Sequence, residues 1–131
     1  MAITVVTPVV LTGYNAFVKE TTSTDWVALD ATLGAEFTMS ARDEKYVICV
    51  QNAASTAVNV TAIVEQGNAL QNHLGDVTVL LAQNAIAYIV IDSGRFKNVS
   101  GTNKGKVIVT SLNAALNAGS ADLQIKVIQL P

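Results

Sequence analysis

The residues able to carry chemistry are few. His73 is the only histidine of the 131-residue chain, and Cys49 is the only cysteine. One imidazole excludes a two-histidine metal site within a single chain. It lies in Asn72-His73-Leu74-Gly75, a loop-like setting. A serine-histidine-aspartate relay would lack the Gly-x-Ser-x-Gly elbow that presents a nucleophile. Cys49 is embedded in Tyr46-Val47-Ile48-Cys49-Val50. An apolar strand keeps such a thiol protonated, so a reactive Cys49–His73 pair is not expected. Paired carboxylates for glycoside hydrolysis would come from Glu36, Glu65 and loop aspartates, and no local arrangement singles out two.

The remaining motifs fail in detail. Gly101-Thr102-Asn103-Lys104-Gly105-Lys106 is one residue short of a phosphate-binding loop, and Val107 stands where a magnesium-holding hydroxyl belongs. It reads as a glycine-rich β-turn with solvated lysines. No aspartate-rich calcium loop is present. Asn59-Val60-Thr61 and Asn98-Val99-Ser100 match the glycosylation acceptor pattern. The apolar start, Met1 to Leu11, has no Lys or Arg ahead of it and is interrupted by Thr4, Thr7 and Pro8, a poor match to a secretory signal. The acceptors are therefore expected to go unused, and the protein to be made in the cytoplasm. With 3 Phe, 3 Tyr and 1 Trp, only Trp26 is left as a stacking platform for a sugar. No enzyme activity, cofactor or metal is expected.

The elements that must position these residues are strands. Eighteen Val, 9 Ile and 13 Thr dominate over 4 Glu and 2 Met, and branched side chains suit a pleated surface. Ala57 to Gln66 alternates, with Val58, Val60, Ala62 and Val64 on one face, as a half-buried strand does. Leu123, Ile125 and Val127 alternate against Gln124, Lys126 and Ile128 in the same way. Lys45–Gln51, Val77–Ala82, Ile86–Ile91 and Lys106–Thr110 read as short strands, and Thr32–Ser40 adds another. Three of these are nearly continuous apolar runs, which predicts burial on both faces. Trp26, Leu29 and Leu33 share a helical face, as do Leu112, Ala115 and Leu116, so each trio predicts a short helix. Asn-Ala pairs recur at Asn52, Asn68 and Asn84, but their flanks differ, and strand-plus-turn length explains the spacing better than a solenoid. The fold class expected is all-β, a compact antiparallel sandwich or barrel over residues 26–131, with residues 1–25 as an extended N-terminal arm or edge strand.

That arm carries the candidate assembly residues Ile3, Val5, Val6, Pro8, Val9, Val10 and Leu11. Pro8 lacks a backbone donor and is confined to an edge or an extended segment. Strand addition to a neighbour would satisfy an otherwise open sheet edge. Removing residues 1–25 is then expected to weaken assembly more than the core fold.

Composition narrows the partners. Half the residues are hydrophobic, only 14% are charged, and Lys+Arg 8 against Asp+Glu 10 leaves net charge −2. A balance so even provides no basic footprint for nucleic acid. No run approaches the roughly 20 apolar residues of a membrane helix. Eighteen charges on a surface of roughly 6,600 Å² amount to about one per 370 Å², against about one per 200 Å² at average composition. A surface so thinly charged is explained if much of it is covered.

Val47–Gln51, Val58–Ala62, Gly67, Asp76–Leu80, Ser93-Gly94-Arg95-Phe96-Lys97, Lys104-Gly105-Lys106-Val107 and a last strand ending Gln129-Leu130-Pro131 carry a family likeness over residues 45–131. The chain resembles the head decoration, or capsid cement, proteins of tailed bacteriophages. The resemblance implies a β-rich decoration domain, trimeric, that clamps the major capsid protein on the outer capsid surface. Partners would be other copies of the chain and that capsid protein, with the virion surface as destination. A tail, baseplate or head-fibre part, or a carbohydrate-binding sandwich, are the competing expectations.

Overall fold

A computed structural model describes residues 3–19, 26–30, 32–111 and 123–131. Ten strands form two mixed sheets packed face to face. In the first sheet, β1 (Thr4–Val5), β4 (Ala35–Thr38), β9 (Lys106–Ser111), β6 (Val60–Val64) and β7 (Val77–Leu81) lie side by side in that order. The second runs β2 (Val9–Val10), β10 (Leu123–Gln129), β5 (Tyr46–Asn52), β8 (Ile86–Ile89), with β3 (Val27–Ala28) also on β10. The two sheets end separately on β7 and β8, so the fold is a sandwich and not a closed barrel. Pairings are antiparallel except for two, β1 with β4 and β2 with β10.

Alternation in the sequence becomes an interior. Val60, Ala62 and Val64 of β6 face Val107 and Val109 of β9 and, across the sandwich, Ile48 and Val50 of β5 and Ile125 and Val127 of β10, all buried. Each fully buried Val or Ile contributes about 1.5–3 kcal/mol. Tyr46, fully buried, packs its ring 5.8 Å from that of Phe37. Its hydroxyl oxygen accepts from the Ser40 N–H at 3.0 Å and the Ala41 N–H at 2.9 Å, ending the loop after β4. Asn52 is 1% exposed and bridges the sheets. Its Nδ2 donates to Val58 O at 2.7 Å and Leu81 O at 3.1 Å, while its Oδ1 accepts from the Ala54 N–H at 3.0 Å.

Two expectations are corrected. The apolar runs of β7 and β8 are not buried on both faces. Thr78, Leu80, Ile86, Tyr88 and Val90 point outward and are exposed. Both strands lie at sheet edges and, among the described residues, no layer covers them, so an apolar run there does not signify two-sided burial. The helix expected at Trp26–Leu33 is replaced by β3, where Val27 and Ala28 pair with Ile125 and Gln124. A turn follows, in which Asp30 Oδ1 accepts from Leu33 N at 2.7 Å and Thr32 N at 2.9 Å. Those two bonds hold the Asp30 carboxyl below its usual range. Pairing with β10 outweighs a three-residue helical face. The helix expected at Leu112–Leu116 lies outside the described residues.

Candidate assembly surface

The N-terminal segment closes one side of the sandwich. Thr4 N donates to Gly34 O at 3.0 Å and Val6 N to Glu36 O at 2.8 Å, both on the first sheet. The chain then passes Thr7-Pro8 and joins the second sheet, where Val9 lies opposite Ile128 and Leu11 N donates to Gln129 O at 2.9 Å. Pro8, which can donate no bond, occupies the crossing between sheets. Among the candidate assembly residues, Val6 is buried in the core. Ile3, Pro8, Val9 and Leu11 are half-buried, and Val5 and Val10 are exposed.

Among the described residues, the opposite side has no such closure. β7 and β8, joined by a turn in which Asn84 adopts φ 64°, are the last strands of their sheets. Residues 77–91, which include both, contain no charged side chain. Proteins usually blunt sheet edges with Lys, Pro or bulges, and none of the first two stands here. Between these strands the sandwich holds a cavity of about 130 Å³, lined by Val77, Val79, Ala87 and Ile89 with Ile48 and Val109 behind.

The two outer faces carry different polar groups. On the first sheet, Lys106 Nζ meets Glu36 Oε1 at 2.8 Å and Thr110 Oγ1 donates to Glu65 Oε1 at 3.1 Å. Topology thus brings Glu36 and Glu65 to one face, flanking Ile108, about two strand spacings or ~9.6 Å apart. Both carboxylates are already engaged, and Glu36 is buried. On the second sheet, register sets out three rows: Gln124–Gln51–Ile86, Lys126–Cys49–Tyr88, and Ile128–Val47. Gln51 Nε2 donates to Gln124 Oε1 at 2.6 Å, and the Lys126 ammonium stands 4.6 Å from the centre of the Trp26 ring. The face is therefore apolar toward β8, with one lysine whose charge rests on an aromatic ring.

Chemistry-bearing residues are not drawn together. Cys49 is fully buried on the second sheet, and burial pushes its thiol up. His73 is exposed in the β6–β7 loop, with Nδ1 3.4 Å from Leu70 O. Among the described residues, no three His, Cys, Asp or Glu side chains are grouped to hold a metal ion, and no helix is long and apolar enough to cross a membrane. Trp26 is half-buried and carries Lys126 on its ring. Gly101–Gly105 is a turn leading into β9.

The Ser93–Lys97 motif has a mechanical role that sequence reading missed. Ser93–Phe96 forms one helical turn, α1, capped by Asp92, whose Oδ1 accepts from Arg95 N at 3.1 Å. Arg95 then donates to three carbonyls of the β6–β7 loop: Gly75 at 2.8 Å, Leu74 at 3.1 Å and Asp76 at 3.2 Å. Gly67 N donates to Arg95 O at 2.8 Å, and a Cβ on Gly67 would lie 2.3 Å from Lys97 O. Only glycine permits that approach. Gly67→Ala is expected to destabilise the protein by about 2 kcal/mol and lower Tm by roughly 4–8 °C. A thermal melt by circular dichroism checks this, and an unchanged midpoint would refute the close contact.

No protein-family model matches the chain, and neither the curated proteins nor the solved structures contain a match.

Proposed function

We propose that this chain is a non-enzymatic structural protein of a tailed-phage virion. It binds the outer capsid surface as a homotrimer, contacts the major capsid protein and stabilises the head. The observation that carries the reading is the asymmetry of the sandwich. The β7–β8 edge holds no charged side chain and, among the described residues, is uncapped, with Leu80, Ile86, Tyr88 and Val90 exposed along it, whereas the N-terminal segment closes the other edge. Such a patch marks an interaction site on a soluble protein. A closed symmetric assembly hides it without growing indefinitely. The likeness over residues 45–131 supplies the kind of assembly, and within it Gly67 and Ser93–Lys97 serve as a latch rather than a ligand site. Strands locked by nonlocal pairing suit a protein that carries load instead of turning over substrate.

The test is to add purified protein to phage heads lacking it and image the particles. Decoration at symmetry-related positions, with heads that survive heating longer, is the expected result. Density on tails alone would establish the tail or baseplate alternative instead, and particles with no added density would overturn the virion assignment.

A further inference from the structure

The geometry points to a head-to-tail contact between copies in which Phe17 of one chain fills the β7–β8 cavity of the next. Phe17 is 92% exposed and Tyr14 86% exposed, on a segment that leaves the body after β2. Large aromatic side chains so exposed are costly to leave in water. The receiving cavity measures about 130 Å³, is lined almost wholly by apolar side chains, and opens at the uncapped side. A dry apolar cavity of about 150 Å³ accepts a benzene ring, so this one, open at its mouth, fits a phenyl group.

Area and charge agree with a second copy as the occupant. Tyr14, Phe17 and Val18 on one side, and Leu80, Ile86, Tyr88 and Val90 on the other, are the exposed apolar residues of the two surfaces. Each side offers roughly 400 Å² of such side chain, and together they approach the apolar share of a standard interface of about 1,600 Å². Residues 77–91 contain no charged side chain, and Phe17 is itself two residues from Lys19, the nearest charge in sequence, so the cavity takes the ring without burying an ion. The order β2-β10-β5-β8 places the root of the Phe17 segment and the cavity at opposite edges of the second sheet. Knob and hole on opposite sides generate a head-to-tail interface, the kind that closes into a ring when the rotation between copies permits. The contact deepens the assembly reading and rests on it for self-association, but not on any capsid.

The test uses the full chain and two variants, Phe17→Ser, which removes the knob, and Ala87→Phe, which fills the hole. In light scattering coupled to gel filtration, the wild type should run as a closed oligomer. Each variant should need at least about 30-fold more protein to associate, with an unchanged circular dichroism spectrum. Mixed one to one, the variants should form a heterodimer and stop there, because only one intact knob meets one intact hole. A wild-type monomer at tens of micromolar, variants that keep the wild-type mass, or a mixture that stays monomeric would each overturn the contact. Because Phe17 is exposed, Phe17→Ser decides the matter even if Ala87→Phe fails to fold. A wild type that forms the ring yet ignores phage heads would refute the virion reading and leave this contact standing.

Discussion

Asn52→Ala is expected to cost about 3–5 kcal/mol. The side chain is 1% exposed and satisfies three backbone groups: the carbonyls of Val58 and Leu81 and the N–H of Ala54. Leu81 ends a strand of one sheet, whereas Asn52 ends a strand of the other. Alanine would leave those groups buried without partners and open a void between the sheets. An unpaired buried polar group costs about 1–3 kcal/mol, and the void adds to that. Asn52→Asp should also destabilise, because a carboxylate cannot donate to the two carbonyls. Urea unfolding monitored by tyrosine fluorescence checks both, and a loss below about 1 kcal/mol for Asn52→Ala would refute the bridge.

Deleting residues 1–11 is expected to lower stability by about 3–4 kcal/mol and Tm by roughly 10 °C. The gross loss is larger. It includes burial of Val6, worth about 2 kcal/mol, and hydrogen bonds from Thr4, Val6 and Leu11 to Gly34, Glu36 and Gln129, each worth about 1 kcal/mol. Freed chain entropy offsets part of it. Both sheets would also gain a bare edge on the side now closed, so aggregation should accompany the destabilisation. For residues 1–11 the intrachain pairings set the order of effects. The fold is damaged first, and assembly fails as a consequence. A truncated protein that melts within about 2 °C of the full chain would show that the segment's pairing contributes nothing.

Legibility tracked the range of the interaction. β6 and β10 could be read directly, because alternation with period two is a local property that the strand keeps wherever it is placed. Cys49 could also be read as inert from its apolar neighbours, and burial does push its thiol up. The Trp26–Leu33 helix was misread because three apolar residues at helical spacing can also flank a two-residue strand. Asn52, Asn68 and Asn84 looked alike in sequence and do three jobs. Asn52 bridges the sheets, Asn84 supplies a left-handed turn, and Asn68 accepts from Val99 N at 2.7 Å. Which job falls to which asparagine depends on residues roughly 30 positions away.

By itself, the sequence determined an all-β chain with a thin charge. Those follow from residue types and from periods of two, which act within a few neighbours. Tertiary structure alone decided sandwich over barrel, the crossing of the N-terminal segment between sheets, and the latch made by Arg95. It also decided where the apolar excess goes. Most of that excess lies between the sheets, and part of the remainder, Leu80, Ile86, Tyr88 and Val90, is exposed along the uncapped edge because β7 and β8 end their sheets. Strand order is set by pairings between residues far apart in the chain, and no local pattern encodes which strand comes last.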